Sequence, residues 1–149
     1  MRLVLFEPDI PQNTGTMIRS AACFDFGVDI IEPCGFLFSD KKMRRAGMDY
    51  LEHVEIISHD SWENFYKKMH GHARLVLLTT KSGKSYHEFK FLENDCLIVG
   101  RESSGVPSKV LENVDECITI PMNVNCRSLN VSIAASIVMA EVRKEIGKC

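Results

Sequence analysis

The sequence predicts an α/β protein: a mostly parallel sheet flanked by helices, in one domain over residues 1–149. Short runs rich in Val, Ile and Leu recur along the chain with little polar alternation, as in strands covered on both faces. Segments of helical pattern separate these runs. Two glycine- or serine-bearing loops follow directly on apolar runs near the C-terminus. Small residues at the carboxyl ends of parallel strands are where open α/β sheets hold ligands.

The first strand, 2–6, is almost wholly apolar. A helix follows from about Thr14 to Phe26, with Asn13 and Thr14 as its cap and Gly27 as its stop. Strand 28–32 comes next, then a short helix after Ser39 that carries Lys41, Lys42, Arg44 and Arg45 and ends at Gly47. Strand 54–58 leads to a helix from Asp60, where Glu63 stands three residues on, as in a capping box. Strands 74–79 and 96–100 follow, and then a short helix after Pro107. After strand 117–120 a long helix runs from about Asn130 to Ile146, with Ile133, Ile137, Ala140 and Val142 roughly on one face.

A formal charge of −2 leaves no whole-molecule positive field, so any nucleic-acid surface has to be a local patch. None of the six cysteines forms a C-x-x-C pair or a zinc-finger cluster with histidine, so no metal site is expected. Cys96 and Cys117 read as reduced core residues and Cys149 as exposed. The N-terminal apolar run is too short for a signal peptide. No stretch approaches the ~18 apolar residues of a membrane span. A cytoplasmic enzyme or binding protein is the expectation.

Four segments carry candidate chemistry. At Asn13 to Arg19, cap and turn is one reading. The other turns Asn13 and Arg19 to the mouth of the sheet, where a guanidinium suits a phosphate or carboxylate. In Gly100 to Pro107, two glycines flank Arg101-Glu102-Ser103-Ser104 and permit a strongly curved loop. It is either a plain turn or a backbone surface for an adenine edge and ribose oxygens; it is neither a P-loop nor a G-x-G-x-x-G fingerprint. The stretch from Pro121 to Ser132 is long for a connection in such a sheet. It gathers Asn123, Asn125, Arg127, Ser128, Asn130 and Ser132, of which Ser128 or Asn130 would also serve as an N-cap. The cluster Lys41, Lys42, Arg44 and Arg45 is either a solvated helix face or a contact to a phosphate backbone. Lys81, Lys84 and His87 form a lesser positive stretch, and the other histidines read as surface or packing residues.

Taken in order, these segments resemble the SPOUT class of RNA methyltransferases, and within it the small tRNA wobble-nucleotide 2′-O-methyltransferases. The markers are Glu7 to Gly15, Ile31 to Phe36, Arg44 to Tyr50, Leu78 to Lys81, Gly100 to Pro107, Ile120-Pro121-Met122 and Arg127 to Ser132. The resemblance implies a C-terminal trefoil knot, a departure from general topology rules. It implies S-adenosyl-L-methionine as methyl donor, bound in the knot by Leu78, Gly100, Ile120 and Ser128, with Glu102, Gly105, Met122 and Leu129 close by. It implies a homodimer with the site completed near the interface, and tRNA as partner, held by Lys41, Lys42, Arg44, Arg45 and Arg127. No metal is implied.

The reaction so implied moves a methyl group from sulfur to the 2′-hydroxyl of cytidine or uridine 34, with leucine tRNAs as the expected substrates. Arg19, Asn13, Ser128 and Asn130 would carry it. A guanidinium keeps its proton at neutral pH, so Arg19 suits phosphate orientation and oxyanion stabilisation better than proton abstraction. Many relatives have Pro where this chain has Arg101, which is expected to add positive charge at the RNA-facing mouth. Many have an aromatic residue where it has Ala140. The pocket sequence leaves open another tRNA position, ribosomal RNA, or a non-catalytic RNA-binding module.

Overall fold

The computed structural model describes residues 1–37 and 48–147. The basic cluster from Lys41 to Arg45, the short helix expected around it, and Cys149 lie outside the described residues. In chain order the elements are β1 (Arg2–Phe6), α1 (Pro11–Phe24), β2 (Gly27–Ile31), a 3-10 turn (Met48–His53), β3 (Ile56–His59), α2 (Trp62–Met69) and β4 (Arg74–Leu78). A second 3-10 turn (Tyr86–Glu88), β5 (Asp95–Val99), α3 (Ser108–Leu111), β6 (Glu116–Ile118) and α4 (Val131–Ile146) complete them. The strands form a six-stranded sheet in the order β3-β2-β1-β5-β4-β6, with every pairing parallel.

Side chains alternate across this sheet, and helices cover both faces. Leu3, Leu5, Val28, Ile30, Leu97 and Val99 face α1 and α4, where Met17, Ile18, Ala135 and Val138 meet them. Val4, Phe6, Ile31, Leu75, Leu77 and Ile98 face the other way, onto Trp62 and Phe65 of α2 and Val110 of α3. That two-sided cover explains why the strands read as nearly continuous apolar runs. Their polar exceptions are paired. Buried Asp29 takes a bond of 2.6 Å from the ring of His59 and a second from Arg2, and buried Asp95 takes a two-pronged contact from Arg74 at 2.7 and 2.8 Å. His59 is thus a packing residue held by a hydrogen bond to Asp29.

The ends of several elements depart from expectation. The first helix starts at Pro11, not Thr14. Pro at the first helical position has its φ preset and no N–H to satisfy, and Ile10 precedes it with no side-chain cap. The Thr14 amide bonds to Ile10 O at 3.1 Å, so Asn13 and Thr14 lie inside the helix and the capping role expected for them is corrected. The helix stops at Asp25, left-handed at φ 60°, and Gly27 instead opens β2. In α2 the cap is Ser61, whose hydroxyl accepts from the Asn64 amide at 3.2 Å, one residue beyond the expected Asp60.

Beyond β6 the chain runs against the loop that follows β4. The Thr79 amide donates to Ile118 O, the Thr119 amide to Lys84 O and the Tyr86 amide to Thr119 O, each at 2.9 Å. The Ser82 hydroxyl adds a bond to Cys117 O at 2.8 Å. Residues 79–86 therefore clasp the segment 117–119 just before the chain turns toward α4.

Candidate active site

Three connections converge at the carboxyl edge of the sheet: the β1–α1 turn, the loop after β5 and the loop after β6. The second closes on itself. Arg101 N–H donates to Gly105 O at 3.0 Å and Gly105 N–H to Arg101 O at 2.9 Å. Gly105 supplies the left-handed turn at φ 70°, which only glycine adopts without strain. The third is ordered by its own amides: Asn123 Oδ1 accepts from the Asn125 amide at 2.9 Å, and Asn130 caps α4 by accepting from Ser132 N–H at 2.9 Å.

Between these loops lies a cleft of about 510 Å³. Leu78, Gly100, Glu102, Gly105, Ser128, Leu129 and Arg127 all line it. An apolar recess of about 110 Å³ adjoins it through the shared residues Leu78, Leu129 and Val131, and Ile120 and Met122 form its wall. Each of the eight residues expected to bind the donor thus lines one of two connected spaces. A flat apolar recess opening onto a curved backbone loop and a carboxylate suits a nucleoside: ring inside, ribose and charged tail at the polar mouth.

One hydrogen-bond chain ties the loops together. Glu102 accepts from the Asp9 amide at 2.8 Å and from Asn13 Nδ2 at 3.1 Å. Asn13 Oδ1 in turn accepts from Asn130 Nδ2 at 3.0 Å. Asn13, Glu102 and Asn130 are therefore brought together. Ser128 lies exposed on the cleft wall. Arg19 stands apart on the exposed face of α1. Its guanidinium lies 4.7 Å from the Tyr50 ring centroid and 3.4 Å from the Tyr50 hydroxyl, and it has no ion pair among the described residues. Lys84 is engaged by Glu116 at 3.1 Å, whereas Lys81 lines the cleft. Ala140 is exposed on α4, and nothing in the structure explains its departure from the aromatic pattern.

Arg101 corrects an expectation. Its charge does not add to the mouth, because the guanidinium turns inward onto two carboxylates: Asp9 Oδ1 at 2.7 Å and Glu7 Oε2 at 3.0 Å. Asp9, Glu7, Ser103 and Tyr50 are the local participants that spacing alone did not single out. Asp9 and Arg101 are 92 residues apart, so only the fold makes them neighbours.

The Arg101 guanidinium, and then the Ser103 hydroxyl, push the Asp9 carboxyl down to about 2 from an ordinary 3.8. A carboxyl lowered on folding adds stability that is fully present above its unfolded value and lost as pH falls through its folded one. The urea midpoint of the wild type should therefore exceed that of Asp9→Asn by a constant margin from neutrality to about pH 5, with the gap closing as pH falls toward about 2. A margin that does not change with pH would refute the pairing.

The fold and the cleft are those of an α/β methylase: the chain belongs to the SpoU rRNA Methylase family, whose model matches residues 1–140. It is 46% identical over 146 residues to the tRNA (cytidine(34)-2'-O)-methyltransferase of Beijerinckia indica subsp. indica, covering 97% of this chain and 91% of the relative. It is 38% identical over 149 residues to the protein of that name from Escherichia coli K12, covering 99% and 94%. A solved structure described as structural insights into the 2-OH methylation of C/U34 on tRNA superposes with a TM-score of 0.93 at 36% identity, over 99% of this chain and 97% of that one.

Proposed function

We propose that this chain is a tRNA (cytidine/uridine-34)-2′-O-methyltransferase that takes its methyl group from S-adenosyl-L-methionine, with leucine tRNAs as substrates. The observation that carries the reading is the continuous cleft joined to the Glu102–Asn13–Asn130 chain: donor-side and substrate-side residues share one network. Relatives matched over more than nine-tenths of their own length and bearing that activity in their names support it.

The donor residues fit the group. Leu78, Ile120, Met122 and Leu129 offer an apolar slot for a flat ring. The Gly100–Gly105 loop and Glu102 border the wider mouth. When bound, the donor supplies an electrophilic methyl carbon on a positively charged sulfur. Held by those residues, it would give that methyl to the ribose 2′-oxygen and leave as a neutral thioether, with the hydroxyl proton passing to solvent. The protein's contribution is alignment and charge. Asn13 and Asn130 orient the ribose, Ser128 orders the loop beside it, and Arg19 holds the adjacent phosphate and steadies charge developing on the attacking oxygen.

The RNA surface combines Arg19 and Arg127 with Lys41, Lys42, Arg44 and Arg45. We also read the clasp of 79–86 on 117–119 as part of the trefoil knot that the family resemblance implies. Residues 1–149 act as one domain. The protein works as a homodimer, supported by the apolar side chains of Ile10, Leu129 and Ile133, 41%, 40% and 53% exposed beside the site. Among the described residues no helix is long and apolar enough to cross a membrane. A tRNA substrate implies work in the cytoplasm.

Incubation with total cellular RNA and labelled donor, followed by mapping of ribose methylation, tests this. A single new 2′-O-methyl at nucleotide 34 of tRNA is expected. Label in ribosomal RNA alone would overturn the substrate, and donor binding without transfer to any RNA would mark a binding module.

A further inference from the structure

We infer that Asp9 and Arg101 are positioning residues: together they form a strap that sets the register between the Gly100–Gly105 loop and the start of α1. The inference rests on the functional reading above and adds to it the part that holds its two halves in line.

Three consecutive residues of one loop converge on a single residue of the other. The Arg101 guanidinium reaches Asp9 Oδ1 through Nη2 at 2.7 Å and Nε at 3.1 Å. Ser103 donates to Asp9 Oδ2 from its amide at 3.2 Å and from its hydroxyl. Between them, Glu102 accepts the Asp9 amide at 2.8 Å. Asp9 is thus used at both ends, carboxylate and backbone. Glu7 completes the grip on Arg101 at 3.0 Å, and does so from a left-handed backbone, φ 42°, that a side-chain-bearing residue rarely adopts. Gly35 backs the turn: its amide bonds to Pro8 O at 2.9 Å, and a Cβ there would stand 3.0 Å from Asp9 Cα.

What the strap leaves alone is equally defined. The reciprocal backbone bonds between Arg101 and Gly105 shape the donor-side loop without any side chain. The strap acts only between loops. It places Glu102, and through it Asn13 and Asn130, relative to the donor cleft. Misregister by a fraction of an ångström slows an in-line transfer far more than it weakens binding of either reactant.

The test uses Arg101→Ala, Asp9→Ala, the double variant and Arg101→Lys in the full-length protein. Either alanine variant should lower kcat on tRNA about 10- to 100-fold, while the Kd for S-adenosylhomocysteine changes less than about threefold. The double variant should be no slower than the worse single one, because one strap can be cut only once. Arg101→Lys should recover part of the rate. Independently of activity, hydrogen exchange at the Asp9 and Ser103 amides should quicken at least about tenfold in Arg101→Ala, while the amides of residues 101 and 105 keep their protection. If the wild type methylates no tRNA, the functional reading fails and the exchange pattern alone decides the strap. Unchanged kcat, additive losses, donor affinity falling in step with rate, or exchange that is uniform or unaltered would each overturn it.

Discussion

Arg19→Ala is expected to slow methyl transfer about 10²- to 10³-fold while leaving the affinity for S-adenosylhomocysteine within about threefold. The division follows from where Arg19 sits. It is on the exposed face of α1, over the Tyr50 ring at 4.7 Å, and lines neither the 510 Å³ cleft nor the 110 Å³ recess beside it. Among the described residues, the other arginines at the mouth are Arg127, which lines the cleft, and Arg101, which is held by Asp9 and Glu7. A guanidinium with no carboxylate partner among the described residues keeps its charge for a phosphate or a developing oxyanion. Because the side chain is exposed, its loss should move stability by no more than about 0.5 kcal/mol. Arg19→Lys should recover little, since an ammonium offers neither the planar fork nor the same stacking on Tyr50. Single-turnover rates with saturating tRNA, set beside calorimetry of the donor product, separate the two effects. Equal loss of donor affinity would move Arg19 from the substrate side to the donor side.

The parts of this molecule that could be read from its sequence are those whose cause is local. The strands were legible because burial on both faces demands apolar residues at every position, as in Leu3 to Phe6 and Cys96 to Val99. The last strand ends two residues early because ladder pairing stops before the apolar run does: Ile120 is as apolar as Ile118, yet β6 stops at Ile118. The start of α1 was misplaced because Ile10 gives no polar capping signal, and Pro11 was the one clue. The donor loops could be found through glycine and serine placed after buried strands and through the family resemblance. The links between them could not. Asn13 meets Glu102 across 89 positions and Asn130 across 117. Arg101 shows the cost of reading a charge without its neighbours: alone it promised a positive mouth, whereas in the fold two carboxylates claim it.

Gly100→Ala should abolish donor binding while leaving the sheet folded. A Cβ at residue 100 would stand 2.6, 2.8 and 2.9 Å from the carbonyl carbon, Cα and oxygen of Gly105. All three are backbone atoms, so no side chain can swing away to relieve the clash. The loop itself has to open. Opening it breaks both reciprocal bonds between Arg101 and Gly105 and carries Glu102 away from the Asp9 amide and Asn13. The Kd for S-adenosylhomocysteine should rise at least about 100-fold, equivalent to about 2.7 kcal/mol. Gly100 lies one residue past the end of β5, where no ladder bond depends on it, so thermal unfolding should stay cooperative. Gly83→Ala is the matched control: nothing lies within 4 Å of a Cβ placed there, and donor binding should be unchanged. If Gly100→Ala bound the donor as tightly as the control, the curved loop after β5 would not be the wall against which the donor rests, and the cleft would lose its assignment.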